Sequence, residues 1–128
     1  MSTLTPREIL AAARLMLSRA GSTTMGLWPR AASLLGRQAL EESLDQLWRN
    51  EAPGMEGCSM RAQLLALPAY LGDEALAEDT SHTWWALTRA THQHAYELPP
   101  TMEELDRWLN EVARLQAVVE AAERADER

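Results

Sequence analysis

The stretch Pro29-Arg-Ala-Ala-Ser-Leu-Leu-Gly-Arg-Gln-Ala-Leu-Glu-Glu-Ser-Leu-Asp-Gln-Leu-Trp-Arg49 decides the fold. Ala32, Leu35, Ala39, Leu40, Leu44, Leu47 and Trp48 recur at helical spacing and make one broad apolar face. Pro29 opens the segment, at a position where its missing N–H is not needed. Trp28, just ahead of it, is placed to act as a hydrophobic staple. A face this wide over about five turns marks the central helix of a core.

The flanking segments are also helical. Thr5-Pro6-Arg7-Glu8 is a capping box, and Leu10, Ala13, Leu17 and Ala20 give a stripe that Gly21 ends. After the second helix, Pro53, Gly54 and Gly57 lie in a loop over 50–57. Ser59 caps a third helix carrying Met60, Leu64, Leu65 and Leu67, which is expected to end near Pro68, with Tyr70 and Leu71 as a short link before Gly72. Asp73 or a neighbour caps a fourth helix expected to run to about Ala95, because Pro99 and Pro100 block its continuation. Thr101-Met102-Glu103-Glu104 is a second capping box, opening a fifth helix with Leu105, Trp108, Leu109, Val112, Leu115 and Val119. Its end, residues 121–128, is charged and Ala-rich and is expected to fray. No strand alternation interrupts this pattern. Residues 1–128 therefore read as one all-α domain, an antiparallel bundle of about five helices.

Composition excludes several function classes. The 128 residues suffice for one hydrophobic core. Cys58 is the only cysteine, so neither an internal disulfide nor a Cys-based metal site can form within the chain. No apolar run approaches the roughly 20 residues of a membrane span, and no leader pattern opens the chain. A cytoplasmic protein with no membrane partner is expected. The net charge is −7. Residues 1–40 carry five Arg against Glu8, a balance of +4, whereas residues 41–128 carry seven Arg against eighteen acids, a balance of −11. Such a surface repels polyanions at long range, although a local basic site still acts within about 10 Å.

Chemistry concentrates in Trp84–Thr101, WWALTRATHQHAYELPPT. On the fourth helix, Leu76, Thr80, Thr83, Trp84, Leu87, Ala90, Thr91 and His94 form one stripe, mostly apolar and expected to face the core. Glu78, His82, Trp85, Arg89 and His92 form a second stripe that mixes a Trp with charge. Arg89 and His92, three residues apart, can meet; Arg89 and His94 are about 140° apart on a straight helix. Two readings of these residues stand together. Arg89 pairs with Glu78 or Glu97, His94 continues the core stripe, and Trp85 is a dimer contact. Or Arg89 and His94 work on a ligand, with Trp85, His92, Tyr96 and Glu97 around it. An HxH pair on a helix splays its rings about 160° apart, and no HExxH spacing occurs, so neither a metal nor another cofactor is expected.

Arg89-Ala-Thr-His-Gln-His94, late in a long helix and followed by a loop and one more helix, resembles the Arg-x4-6-His motif of HEPN domains. Residues 29–41 resemble that family's long core helix, and residues 91–101 look like a small bacterial subgroup of HEPN-like proteins. The resemblance covers most of the chain. It implies a homodimer and, in active members, a metal-independent endoribonuclease of the toxin, stress-response or defence type. Carried over, Arg89 would hold the scissile phosphate and His94 would move the proton, roles that suit a bidentate guanidinium and an imidazole titrating near neutrality. Ala90 stands where active members usually carry a polar residue. It favours a non-catalytic module that binds a nucleotide, RNA or a protein partner through the Trp85, Arg89 and His92 face.

Overall fold

The computed structural model describes residues 4–19, 28–92 and 96–127. They form five α-helices: α1 Pro6–Ser18, α2 Trp28–Glu51, α3 Met60–Leu71, α4 Glu74–Thr91 and α5 Met102–Asp126. A one-turn 3-10 helix, Met55–Gly57, lies in the α2–α3 connection. No strand occurs among the described residues. The all-α bundle expected from periodicity is the observed fold.

Side-chain pairings set the helix directions. Arg7 Nη2 meets Glu120 Oε2 at 2.8 Å and Arg14 Nη2 donates to Asn110 Oδ1 at 3.0 Å, so α1 and α5 run antiparallel. Trp84 Nε1 donates to Glu41 Oε2 at 2.9 Å and Arg30 Nε to the Thr91 carbonyl at 3.0 Å, so α2 and α4 are also antiparallel. Gly36 approaches Leu109 while Gln46 donates to Glu123, so α2 and α5 run the same way. The short α3 makes this possible, because it returns the chain to begin α4 beside the far end of α2. The core lies among α1, α2, α4 and α5. Leu40, Leu44, Trp48, Leu87, Leu105, Leu109, Val112 and Leu115 are almost completely buried there. Non-polar burial of this kind supplies most of the drive to fold.

Local signals hold where they rest on capping chemistry. In both capping boxes the Thr hydroxyl accepts from the Glu N–H and the Glu carboxylate accepts from the Thr N–H, at 3.1 and 2.9 Å for Thr5 and Glu8 and at 3.0 Å for both bonds of Thr101 and Glu104. Asp73 accepts from Leu76 N–H at 3.0 Å and Ser59 from Ala62 N–H at 3.2 Å. Four boundaries differ from expectation. α4 ends at Thr91, with His92 as its C-cap, rather than near Ala95. Trp28 is inside α2 rather than ahead of it. α3 passes through Pro68 to Leu71. An internal Pro costs about 3 kcal/mol, but Leu67 is fully buried and Tyr70 sets its ring edge-on to Trp48 at 5.4 Å, and these contacts offset the loss. Gly72, with φ of 71°, supplies the actual stop. α5 stays helical through Asp126, with Glu120 held by Arg7 and Glu123 by Gln46. Ala20 and Gly21 lie outside the described residues.

The acidic balance leaves a trace in α2. Burial, and then the neighbouring Glu42, push the Asp45 carboxyl above its ordinary value. A carboxyl raised in the folded state disfavours folding once pH exceeds its unfolded value of about 3.9. Asp45→Asn is therefore expected to raise the melting temperature at pH 7 and to change it little at about pH 3, where both states hold the proton. Melting curves at the two pH values check this; equal shifts at both would show that charge is not the cause.

Candidate functional site

The C-terminal half of α4, the 96–101 connection and the first turns of α5 enclose a groove of about 420 Å³. Ala86, Arg89 and Ala90 line it from α4, and Glu104 and Trp108 from α5. Glu97, Leu98, Pro99, Pro100 and Thr101 close one side. Pro99 and Pro100 keep the residues ahead of α5 out of a helix, and Thr101 with Glu104 starts α5 immediately afterwards.

Arg89 lies in the last turn of α4 and is exposed. Its side chain makes no ion pair or hydrogen bond with another described residue. Pairing with Glu78 or Glu97 is thus not what the described residues adopt, although Glu97 shares the groove. His92 caps α4, its N–H shared between the Thr88 and Arg89 carbonyls at 3.2 Å each, and its side chain is exposed. It does not line the groove. Tyr96 is 86% exposed and also lies outside the lining. His94 falls outside the described residues, so the Arg89–His94 relation expected from sequence has no geometry here.

Trp85 takes a different place. It is 54% exposed and borders a separate depression of about 350 Å³ with Arg61, Leu64, Leu65 and Ser81, between α3 and α4. The face read from sequence as Trp85, Arg89 and His92 is therefore divided: Arg89 looks toward α5 and Trp85 toward α3. The cause is geometric. Residues four apart differ by about 40° around a helix, enough to fall into the grooves on either side of one ridge. Trp84 is half-buried, packs against the core, and meets Trp85 edge-on at 4.8 Å. Behind it, Arg37 Nε stands 3.8 Å from Glu41 Oε2, and buried Thr88 Oγ1 has no hydrogen-bond partner among the described residues.

Two groove residues escaped the sequence reading as functional. Trp108 reads from sequence as part of the apolar stripe of α5 and Glu104 as half of a capping box. Both do those jobs and line the groove as well. The signal that could have found them is the capping box at Thr101–Glu104, which places Glu104 and Trp108 in the first turns of α5, directly after the Pro99-Pro100 segment.

Among the described residues, no three His, Cys, Asp or Glu side chains come together to hold a metal. None of the described helices is long and apolar enough to cross a membrane. The chain matches no protein-family model, no curated protein and no solved structure.

Proposed function

We propose that the chain is a HEPN-like helical module, homodimeric, that binds a nucleotide in the Arg89 groove without cleaving it. The observation that carries this reading is Arg89, a guanidinium without an ion-pair partner among the described residues, in a groove of ligand size that Trp108 also lines. Arg binds phosphate through two parallel N–H donors, and an indole face accepts a flat base. Long RNA fits less well than a mononucleotide. The net charge of −7 and the presence of Glu97 and Glu104 in the groove oppose a long polyanion but tolerate one phosphate held at close range. The exposed Trp85 and Leu65 depression is the surface available for a second copy or another protein partner.

Arg89→Ala is expected to weaken mononucleotide binding by about tenfold or more, since charge-assisted hydrogen bonds to phosphate are the strong ones. The same change should leave the melting temperature nearly unaltered, because the side chain is exposed and unpaired among the described residues. Titration calorimetry beside a melting curve reads both. Unchanged affinity would remove Arg89 from the site.

The endoribonuclease reading draws on the same Arg89, unpaired among the described residues, with His94 as the proton-transfer group and no metal. Wild type, Arg89→Ala and His94→Ala incubated with a mixed RNA ladder in EDTA decide between the two. Cleavage by the wild type alone supports the nuclease. Intact RNA with all three proteins supports the binding module. Gel filtration with light scattering on the same samples reads the dimer mass.

A further inference from the structure

We propose that the Arg89 groove is one half of a longer site along the seam between α4 and α5, and that its ligand is a nucleoside with a phosphate on each side, a 3′,5′-bisphosphate. The inference rests on the nucleotide reading above and adds to it a second phosphate subsite, at Arg107.

A second depression, of about 180 Å³, continues the seam toward the start of α4. Asp79, His82 and Thr83 line it from α4, and Arg107, Trp108 and Glu111 from α5. Trp108 lines this depression and the Arg89 groove alike, so the indole stands where the two meet. On α4 the groove takes residues 86–90 and the depression residues 79–83, whose midpoints are about 10 Å apart along the helix axis.

The two carboxylates of the second depression are both engaged. Arg114 Nη1 meets Asp79 Oδ2 at 3.3 Å and Glu111 Oε2 at 2.6 Å. Arg107 is exposed and makes no ion pair with another described residue. Each depression thus holds one arginine unpaired among the described residues, and the indole lies between them. Size decides what enters each. About 420 Å³ is the volume of a small-ligand pocket, whereas about 180 Å³ falls below that class and takes a single group rather than a second nucleoside. The group that suits the Arg107 guanidinium and the His82 imidazole, both N–H donors, is a phosphate.

Phosphates in a row on one side of a nucleoside reach one of these arginines. A 3′,5′-bisphosphate instead sets its base against Trp108 and sends one phosphate toward each arginine. Adenosine 3′,5′-bisphosphate and ADP are isomers with the same base, sugar and number of phosphates, so they isolate placement from charge and stacking.

The test is calorimetric titration of the full chain with these two isomers. Wild type is expected to bind the bisphosphate about tenfold more tightly than ADP, the size of one charge-assisted contact. Arg107→Ala is expected to bring the bisphosphate down to the affinity of ADP, and Arg89→Ala to weaken both. Melting curves of the two variants should match the wild type, because both side chains are exposed. A short oligoadenylate repeats the same unit within a polyanion, and the net charge of −7 is expected to make it the weaker ligand. Equal affinity of the wild type for the two isomers overturns the Arg107 subsite and leaves the nucleotide reading standing. A preference that survives Arg107→Ala overturns the assignment of the second phosphate to that residue. Oligoadenylate binding as tightly as the free bisphosphate overturns the small-molecule ligand in favour of RNA. Absence of binding by either isomer overturns the nucleotide reading and this inference with it.

Discussion

Trp48→Ala is expected to lower the unfolding free energy by about 3–5 kcal/mol, a large part of what a domain of this size has. Trp48 is fully buried in α2, at the end of the core nearest α3. Its indole N–H donates to Gln63 Oε1 at 2.9 Å, and Gln63 Nε2 donates onward to the Cys58 carbonyl at 2.9 Å. Tyr70 closes the other side edge-on at 5.4 Å. Truncation opens a cavity, strands the buried amide of Gln63 and removes the contact that offsets Pro68 within α3. Denaturant unfolding followed by circular dichroism measures the loss. Gln63→Leu separates the parts, because it keeps the ring in place but leaves the indole N–H and the Cys58 carbonyl without their partner. A loss of about 1–3 kcal/mol is expected there. A Trp48→Ala change no larger than that of Gln63→Leu would mean that packing at this point contributes little.

Gly36→Val is expected to cost about 1–3 kcal/mol, against the direction of helix propensity. Gly36 is buried in the middle of α2, where Gly is a poor helix former. The reason it stands there is approach. A Cβ at this position would lie 2.8 Å from Leu109 Cδ2 and 3.5 Å from Leu87 Cδ2, so α2 meets α5 and α4 across the space of a missing side chain. The branched Val adds two methyl groups to that clash. Leu109→Ala alone is expected to cost about 2–5 kcal/mol by leaving a cavity. The double variant should cost less than the sum of the two, because the new methyls fill the emptied volume. A double-mutant cycle on unfolding free energies reads the coupling. Strict additivity would show that Gly36 and Leu109 do not share that space.

The sequence by itself determined what depends on neighbours within a turn or two. Helical periodicity specified five helices. The Thr5–Glu8 and Thr101–Glu104 pairs specified where two of them begin, since a cap is local chemistry between a side chain and a backbone three residues away. The breadth of the apolar face identified α2 as central. Arg89 could be singled out from sequence because a cation on one helical stripe with Trp85 and His92 is visible without coordinates.

Tertiary structure decided whatever two distant segments settle together. Pro68 reads locally as a stop, and contacts with distant residues, the burial of Leu67 and the Tyr70 ring on Trp48, carry α3 past it. Gly36 reads as a weak point in α2, and only Leu109 and Leu87 show it to be a contact. Trp85 and Arg89 read as one face, yet the packing of α3 on one side of α4 and α5 on the other parts them into two grooves. Trp108 and Glu104 read as core and cap, and the packing of α4 beside α5 makes both line one groove with Arg89. Periodicity states which side of a helix is apolar. It does not state which neighbour stands beyond the edge of that side, because that depends on the direction and length of helices far away in the chain.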